Sequence, residues 1–342
     1  MNNKAAVAFP VLIVLLALAI LAGVGVGAVP IAPVSFLRWI ANSLGFSGFP
    51  LPSRTESTII FMIRLPRVLC SLLVGSALAV CGVAMQGLFR NPLASPEVLG
   101  ISAGSSLGAV IAVTTGLYAL NLFLLPAMAA AGALLAAALV FLLSSSRGTT
   151  SLLFIVLAGM AISSFFSGVV SAILMVSREH EVSSFIFWTM GGLDGRGWEH
   201  VLMAAPILLP GMVVLGAFSR DLNLFTLGEE SASSLGMRVE RVKRAILAVS
   251  AVVTGAAIAV GGPIGFLGLL IPHLFRLIVG PDHRILIPAS ALGGAVFLTL
   301  CDLVGRVIMP PFEVRVGIIT ALLGSPYFLF LVVRTQKRAM GR

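Results

Sequence analysis

An apolar run between Arg64 and Arg90 constrains the fold of this chain most, because it is long enough to cross a bilayer as a helix. In lipid, backbone groups find hydrogen-bond partners only in helices and closed barrels. Arg64 and Arg67 flank a proline at the start of the run, and the polar break Arg90-Asn91-Pro92 ends it. A glycine-rich apolar run follows at once. This pattern is more typical of a transporter than of an enzyme.

The composition fits a polytopic membrane protein. The chain has 342 residues, of which 58% are hydrophobic and 10% are charged, whereas soluble domains carry about 25% charged residues. Its net charge of +9 does not indicate nucleic-acid binding, because the basic residues are scattered among apolar runs. Cys70, Cys81 and Cys301 lie in apolar runs without metal-ligand spacing. We therefore expect buried thiols, no metal site and no cofactor bound by this chain.

Breaks and charges divide the chain into ten membrane spans within a single transmembrane domain, residues 1–342. The N-terminal apolar run is longer than a signal-peptide core of about 7–15 residues, so we predict a retained first span. The predicted spans are 5–29, 58–84, 97–116, 121–144, 151–176, 199–218, 245–261, 264–281, 284–307 and 315–333. We therefore predict an all-α polytopic membrane protein.

Lysine and arginine mark the side of a membrane protein that faces the cytoplasm. Ten spans put both termini on one side, which collects fourteen of the 22 basic residues, including all three lysines. We predict a multi-pass protein of the cell (inner or plasma) membrane with both termini in the cytoplasm. The other eight basic residues are all arginines, more than orientation alone explains.

An internal echo predicts an inverted repeat, because six residues of span 2 and the break after it recur 180 residues later. The pairs are Gly75 and Gly255, Ala77 and Ala257, Ala79 and Ala259, Val80 and Val260, Gly82 and Gly262, and Pro92 and Pro272. Five spans lie between the copies, so spans 2–5 would be equivalent to spans 7–10 with inverted orientation. Repeats of this kind surround the pathway in many transporters.

Gly100, Gly104 and Gly108 recur every four residues and form a small-residue stripe. Such a stripe lets another helix approach closely, and it can also line a pathway. The sequence leaves both interpretations open. No lysine stands in the context of a P-loop, so the chain does not bind ATP in that way. If ATP drives it, a separate subunit supplies the nucleotide site.

Polar residues at the span ends have structural and functional interpretations. Asp302 and Arg306 share a helix face at i and i+4, either as a structural ion pair or with Arg306 turned outward beside Arg64 and Arg67. The longest cytoplasmic loop, 219–244, is either a solvated connector or a docking segment for another protein. The four histidines are expected to be ordinary polar residues, His273 and His283 at the cytoplasmic interface and His180 and His200 solvated outside.

Several blocks together resemble the permease subunits of type II ABC importers, the FecCD-like family that takes up iron–siderophore complexes, haem and vitamin B12. The blocks follow the family order over nearly the whole chain. They are Arg64-Leu65-Pro66-Arg67, Gln86, Asn91-Pro92-Leu93-Ala94-Ser95-Pro96, Leu99-Gly100, Leu227-Gly228-Glu229-Glu230, Ser234-Leu235-Gly236, Gly265-Phe266-Leu267-Gly268-Leu269-Leu270-Ile271-Pro272-His273 and Gly317 to Pro326.

The resemblance implies an assembly. Two copies of the chain would form a homodimer around one pathway in the lipid bilayer, with two ATPase subunits below and one periplasmic or surface-anchored substrate-binding protein above. ATP and Mg would bind to the ATPase subunits. The chain itself would be no enzyme and would have no catalytic residues.

The resemblance also implies residue roles. Arg64, Arg67 and Arg306 would meet acidic residues of the binding protein, since a guanidinium pairs well with a carboxylate. The cytoplasmic gate would consist of Asn91, Pro92 and Leu93, with residues 149–153 as a second gate segment. The coupling helix, seated in the ATPase, would consist of Leu227, Gly228, Glu229, Glu230, Ser231, Ala232, Ser234, Leu235 and Gly236.

The expected cargo is a bulky metal chelate that crosses intact along a small, apolar wall. The resemblance ranks a ferric siderophore first, with haem and cobalamin as alternatives. The main rival function is an ion-coupled secondary transporter, which needs ionisable residues near the membrane midplane. Asp302 is the one acidic candidate for that role, and it lies towards one end of its span.

Overall fold

The computed structural model describes residues 3–27, 29, 33–43, 53–146 and 149–340. These residues form sixteen α-helices. In chain order, α1 to α16 are Asn3–Gly25, Pro33–Ser43, Arg54–Thr58, Leu65–Leu88, Ile101–Thr114, Leu117–Leu120, Leu124–Ser144, Leu152–Met175, Glu179–Thr189, Trp198–Ala217, Ser219–Phe225, Glu229–Ser234, Val239–Gly261, Leu267–Val279, His283–Val307 and Val316–Met340. A π-helical segment, Ile59–Arg64, joins α3 to α4. The strands β1, Ser145–Ser146, and β2, Thr149–Thr150, pair antiparallel as a hairpin between α7 and α8.

Ten apolar helical segments of the described chain correspond in order to the ten predicted spans. Seven are long enough to cross a membrane, and three are shorter, on α5, α14 and α16. The all-α polytopic architecture is therefore confirmed, with the two-residue strands of the hairpin as a small addition. Arg147 and Arg342, two of the fourteen basic residues predicted on the cytoplasmic side, lie outside the described residues.

Spans 3 and 8 are shorter than predicted because the backbone breaks before each helix. Helix α5 has 14 residues and α14 has 13, about 20 Å each at 1.5 Å per residue. Gly100 and Phe266, which precede these helices, have φ of +69° and +65°, outside the helical region. Irregular backbone at membrane depth is tolerated where it is buried in protein or lines a cavity. Apolar composition alone does not reveal such a break.

Helix α4 is the centre of the bundle and packs on α10, α13, α14 and α15. Small residues permit the closest contacts. A Cβ placed on Gly75 would lie 2.3 Å from the carbonyl oxygen of Gly294, and one placed on Gly82 would lie 1.8 Å from that of Gly268. Close approach of this kind replaces the hydrophobic driving force that is missing between helices in lipid. Helices α7, α8 and α10 keep large apolar side chains exposed, as lipid-facing helices do.

The residues that recur 180 positions apart in the sequence do not occupy equivalent positions in the structure. Gly82 lies inside α4, whereas Gly262 follows the end of α13 with φ of +68°. Pro92 lies in a turn, whereas Pro272 lies inside α14. The residue pairs therefore give no structural support to the inverted repeat, and equivalence of spans 2–5 with spans 7–10 stays a prediction.

Candidate functional site

The residues predicted to act lie at the two ends of α4. Arg67 is in its first turn and Gln86 is in its last turn, a separation of about 28 Å along the helix. We name the two ends by the predicted orientation. The end with the arginines predicted for docking is called the outer end, and the end with the turn after α4, the hairpin and the helices of the 219–244 loop is called the inner end.

At the outer end, two arginines cap the C-terminus of α1. Arg64 donates to the carbonyl oxygens of Val24 and Gly25 at 2.9 and 2.6 Å. Arg306 donates to the carbonyl oxygen of Gly23 at 2.9 Å. The last carbonyls of a helix lack intrahelical partners and carry the negative end of its dipole, so cations are stabilising there. The two guanidinium groups fix the end of α1 against α4 and α15.

Asp302 holds this outer cluster together. Its carboxylate accepts hydrogen bonds from Nε and Nη2 of Arg67 at 2.9 to 3.1 Å and lies 3.2 Å from Nε of Arg306. Glu313 accepts from Nη1 of Arg67 at 2.8 Å. The side chains of Asp302 and Arg306 are 2% and 4% exposed, so their contact is a buried ion pair. Of the two interpretations of Asp302 and Arg306, the structure shows the ion pair.

The expectation that Arg64 and Arg306 face outward needs correction. Arg64 is 5% exposed and Arg306 is 7% exposed, because helix-end carbonyls and Asp302 engage them. The side chain of Arg67 is 11% exposed and is held by Asp302 and Glu313. None of the three arginines presents an exposed, unpaired guanidinium in this conformation. Their role in docking a binding protein stays a prediction.

At the inner end, the polar break after α4 forms a tight turn with an apolar tip. The backbone N–H of Leu93 donates to Oδ1 of Asn91 at 2.9 Å, an Asx turn across Pro92. Leu93 is 40% exposed. Gln86 anchors the turn to α14, since its Oε1 accepts from Nη1 of Arg276 at 2.8 Å. The three predicted gate residues therefore form one turn, and their gating role stays a prediction.

The 219–244 loop folds into two short helices, α11 and α12, followed by the start of α13. Gly228 precedes α12 with φ of +101°, a conformation that favours glycine. Ala232 is fully buried, whereas Leu235 is 63% exposed, so α12 rests on one face and presents the other. The nine residues predicted for the coupling helix lie in this single projecting unit, Leu227 to Gly236. Its exposed face combines small polar residues with the apolar side chains of Leu227 and Leu235, and its coupling role stays a prediction.

Asn223 on α11 ties the loop to the start of α15. Its Nδ2 donates to Oδ1 of Asp282 at 2.7 Å, and its Oδ1 accepts from the backbone N–H of His283 at 3.0 Å. Asp282 caps α15 by accepting from the backbone N–H of Arg284 at 3.0 Å. The hydrogen bond from Asn223, followed by that from Arg284, holds the pKa of Asp282 below its usual value.

Replacing Asp282 by alanine is expected to lower the free energy of unfolding by about 1 kcal/mol, the usual cost of a lost N-cap. The wild-type contribution is present above the unfolded-state pKa of about 3.9 and is lost as the pH falls towards the lower folded-state pKa. Thermal unfolding in detergent, at neutral pH and near pH 3, measures both effects. Asp282→Asn keeps a capping oxygen and should retain stability without this pH dependence. An Asp282→Ala protein as stable as wild type at neutral pH would contradict the cap.

The glycine stripe packs α5 against α7. A Cβ on Gly104 would lie 2.2 Å from the carbonyl oxygen of Gly132, and one on Gly108 would lie 1.9 Å from that of Met128. Gly100 does not belong to the helical stripe, because it precedes α5 in the left-handed conformation. The structure therefore shows the helix-packing interpretation, and the pathway-lining interpretation stays a prediction.

Sequence patterns missed Glu97, an exposed carboxylate at membrane depth on the 3-10 turn Pro96–Leu99. A Cβ on Gly268 would contact both this turn and the carbonyl oxygen of Leu78. Leu78 lies ten residues before the inner end of α4, about 15 Å away. A cavity of about 160 Å³ opens here; its lining is mostly apolar and includes Ser95, Glu97, Ser102 and Thr254. Asp302 is thus not the one acidic candidate for a role near the membrane midplane, and the carboxylate inside predicted span 97–116 was the available signal.

The expectation that His200 is solvated is wrong. Its ring is fully buried in the first turn of α10. Its Nε2 lies 3.2 Å from Nη1 of Arg196 and its Nδ1 lies 3.0 Å from Oε1 of Glu199.

The described residues contain no group of three or more His, Cys, Asp or Glu side chains that could hold a metal ion. Three thiols are buried, as predicted, those of Cys70, Cys81 and Cys301.

Comparison with known proteins identifies the family. Residues 15–334 match the FecCD transport family. The chain is 40% identical over 307 residues to the cobalamin import system permease protein BtuC of Halobacterium salinarum, covering 89% of this chain and 82% of that protein. It is 41% identical over 284 residues to the hemin transport system permease protein HmuU of Yersinia pestis, covering 82% and 84%. It is 39% identical over 273 residues to the Fe(3+) dicitrate transport system permease protein FecD of Escherichia coli, covering 80% and 84%.

A solved structure supports the same assignment. It is described as a metal-chelate type ABC transporter in an inward-facing conformation, with a TM-score of 0.84 and 33% identity. The match covers 96% of this chain and 99% of that chain. The fold, the family match and the absence of a P-loop agree with one another. The chain therefore belongs to the FecCD transport family, as a permease subunit of a type II ABC importer and not itself an ATPase.

Proposed function

We propose that two copies of this chain form a permease that moves a bulky metal chelate from a binding protein into the cytoplasm. A ferric siderophore is the first candidate, and haem and cobalamin are the alternatives. Relatives named for cobalamin, hemin and Fe(3+) dicitrate transport support a cargo of this class. The projecting unit around α12 carries the proposal, because a permease without a nucleotide site needs a surface on which an ATPase can act.

The exposed carboxylate of Glu97 supports the homodimer. Ionisable groups at membrane depth face a protein interior or a water-filled path in preference to lipid. Glu97 is exposed on the isolated chain. The proposal therefore puts this face of the bundle at the two-fold axis, where two copies enclose the pathway.

In the proposed assembly, the outer and inner ends of the bundle meet different partners. The binding protein docks at the outer end, where Glu313 is exposed, Arg67 is paired with it, and Arg64 and Arg306 are buried beneath them. Two ATPase subunits seat the two α12 units at the inner end, on the side of both termini. ATP binding and hydrolysis move α12, and the Asn91–Leu93 turn and the hairpin open or close the inner end.

Uptake into liposomes tests this function. The permease is reconstituted with its ATPase and binding protein, and ferric siderophore, haem and cobalamin are offered as cargo. Uptake is expected to require both ATP and the binding protein. Uptake that persists without ATP would favour the ion-coupled secondary transporter. Ligand binding to the isolated binding protein identifies the cargo class separately.

Replacing Leu235 by aspartate is expected to remove most of the ATPase that copurifies with the permease. Leu235 is 63% exposed beside α12, and loss of a buried interface anchor costs about 2 kcal/mol or more, roughly thirtyfold in affinity. Recovery of ATPase on tagged permease measures the effect. The matched control is Leu120→Asp, because Leu120 is 76% exposed on α6 at the outer end. Equal ATPase recovery with both variants would remove the α12 unit from the coupling surface.

A further inference from the structure

A buried ammonium joins three separate elements at the inner end of the bundle. Lys243, in the second turn of α13, donates from Nζ to Oε2 of Glu229 at 3.0 Å and to Oε1 of Glu240 at 2.9 Å. It also donates to the carbonyl oxygen of Thr150 at 2.8 Å. An ammonium has three hydrogens to donate, so these contacts use all of them. Glu229 begins α12 and Thr150 ends the hairpin, so one side chain bridges both to α13.

Two hydrogen bonds join α13 to the hairpin, both at the backbone of Thr150. Besides giving its carbonyl oxygen to Lys243, Thr150 donates its backbone N–H to Oε2 of Glu240 at 2.9 Å. Both backbone polar groups of Thr150 are therefore held by side chains of α13. The hairpin also keeps its own cross-strand contact, between the hydroxyls of Thr150 and Ser145 at 3.1 Å.

The burial of Lys243 separates this arrangement from an ordinary basic flank of a membrane span. Such flanks are solvated and serve orientation, and Arg241, two residues earlier, is exposed as expected of one. The side chain of Lys243 is only 2% exposed. Lysine is almost never fully buried unless it is paired. Its burial between two carboxylates and a carbonyl oxygen indicates a specific structural link.

We infer that Lys243 is the positioning residue that fastens α12 to the hairpin, so that these two elements move together. The consequence for transport rests on the proposed function, in which α12 receives the motion of the ATPase and the hairpin helps to close the pathway. In that setting Lys243 transmits the movement of α12 to the second gate segment. The link itself is a property of the isolated chain and can be measured without any partner.

The link is tested on the permease alone with a reporter thiol on the hairpin. Thr150→Cys places the thiol at a position that is 2% exposed and keeps both backbone contacts to α13, in a protein whose buried Cys70, Cys81 and Cys301 are replaced by alanine. Adding Lys243→Met is expected to speed labelling of this thiol by a membrane-impermeant maleimide about tenfold, within the usual range of coupling energies. Arg241→Met removes the same charge two residues away and should leave the rate unchanged. Equal rates in the Lys243→Met and Arg241→Met proteins would overturn the inference.

A second variant protects the test against misfolding. Glu229→Gln removes the ion pair between Lys243 and α12 and leaves Lys243 paired with Glu240. Because the Glu229 side chain is 38% exposed, the fold should persist. The accessibility of the hairpin thiol is then expected to stop responding to ATPase binding, because α12 would move while Lys243 and Glu240 still hold the hairpin on α13. A change in labelling on ATPase binding equal to that of wild type would contradict the link.

The transport consequence is measured in the reconstituted importer as cargo uptake for each ATP hydrolysed. Lys243→Met is expected to lower this ratio about tenfold while ATP hydrolysis continues, because α12 would still bind the ATPase but would no longer move the hairpin. A parallel fall in uptake and hydrolysis would indicate general damage and would overturn the transmitting role. Lack of ATP-dependent uptake by wild type would instead contradict the proposed function, while the labelling result would still decide the link.

Discussion

Replacing Asp302 by leucine is expected to destabilise the outer end of the bundle by about 3–5 kcal/mol, the usual cost of removing one partner from a buried ion pair. The change leaves Arg67 and Arg306 without their shared counter-ion, and Arg306 is 4% exposed. Their guanidinium groups would then repel each other beside the capped end of α1. The expected readouts are a lower midpoint of thermal unfolding in detergent and a smaller monodisperse fraction on size exclusion.

Glu313→Gln is the matched control for this prediction. Glu313 also pairs with Arg67, at 2.8 Å, but its side chain is 43% exposed, and exposed pairs contribute about 0–1 kcal/mol. An Asp302→Leu protein as stable as the Glu313→Gln protein would contradict a structural role of the cluster. A surface that acts only in docking would show the opposite result, lost binding of the binding protein at unchanged stability.

The span pattern was predictable from the sequence because membrane helices depend on local composition. Ten apolar segments, the turn at Asn91 and the projecting unit from Leu227 to Gly236 all appear where the sequence places them. Each depends on residues close together in the chain. The helix breaks before α5 and α14 were not predicted, because hydropathy does not distinguish a residue in the left-handed conformation, such as Gly100 or Phe266, from a helical one.

The side-chain partners of the charged residues were not predictable, because they come from distant parts of the chain. Arg64 reaches the carbonyl of Val24, forty residues away, and Arg306 reaches that of Gly23, 283 residues away. A sequence shows that an arginine stands at a helix end, but not that another helix ends against it. Lys243 was counted only among the cytoplasmic basic residues for the same reason, since its partner Thr150 is 93 residues away.

The contact between α4 and α14 gives a second large expected effect on folding. Gly82 lies in the interior of α4, and Gly268 lies in the first turn of α14. The two backbones approach so closely that a Cβ on Gly82 would lie 1.8 Å from the carbonyl oxygen of Gly268. The obstacle is backbone and not the end of a flexible side chain, so rotation of a side chain cannot relieve the clash.

Replacing Gly82 by valine is therefore expected to cost at least about 3 kcal/mol, the upper end of common overpacking penalties. Because α14 also holds the Gln86 anchor through Arg276, separating α14 from α4 should loosen the inner turn as well. The yield of monodisperse protein and the thermal midpoint measure the loss. Gly168→Val is the matched control, since Gly168 lies inside α8 with no heavy atom within 4 Å of its added Cβ. Equal yields of the two variants would mean that α14 does not pack on α4 at this glycine.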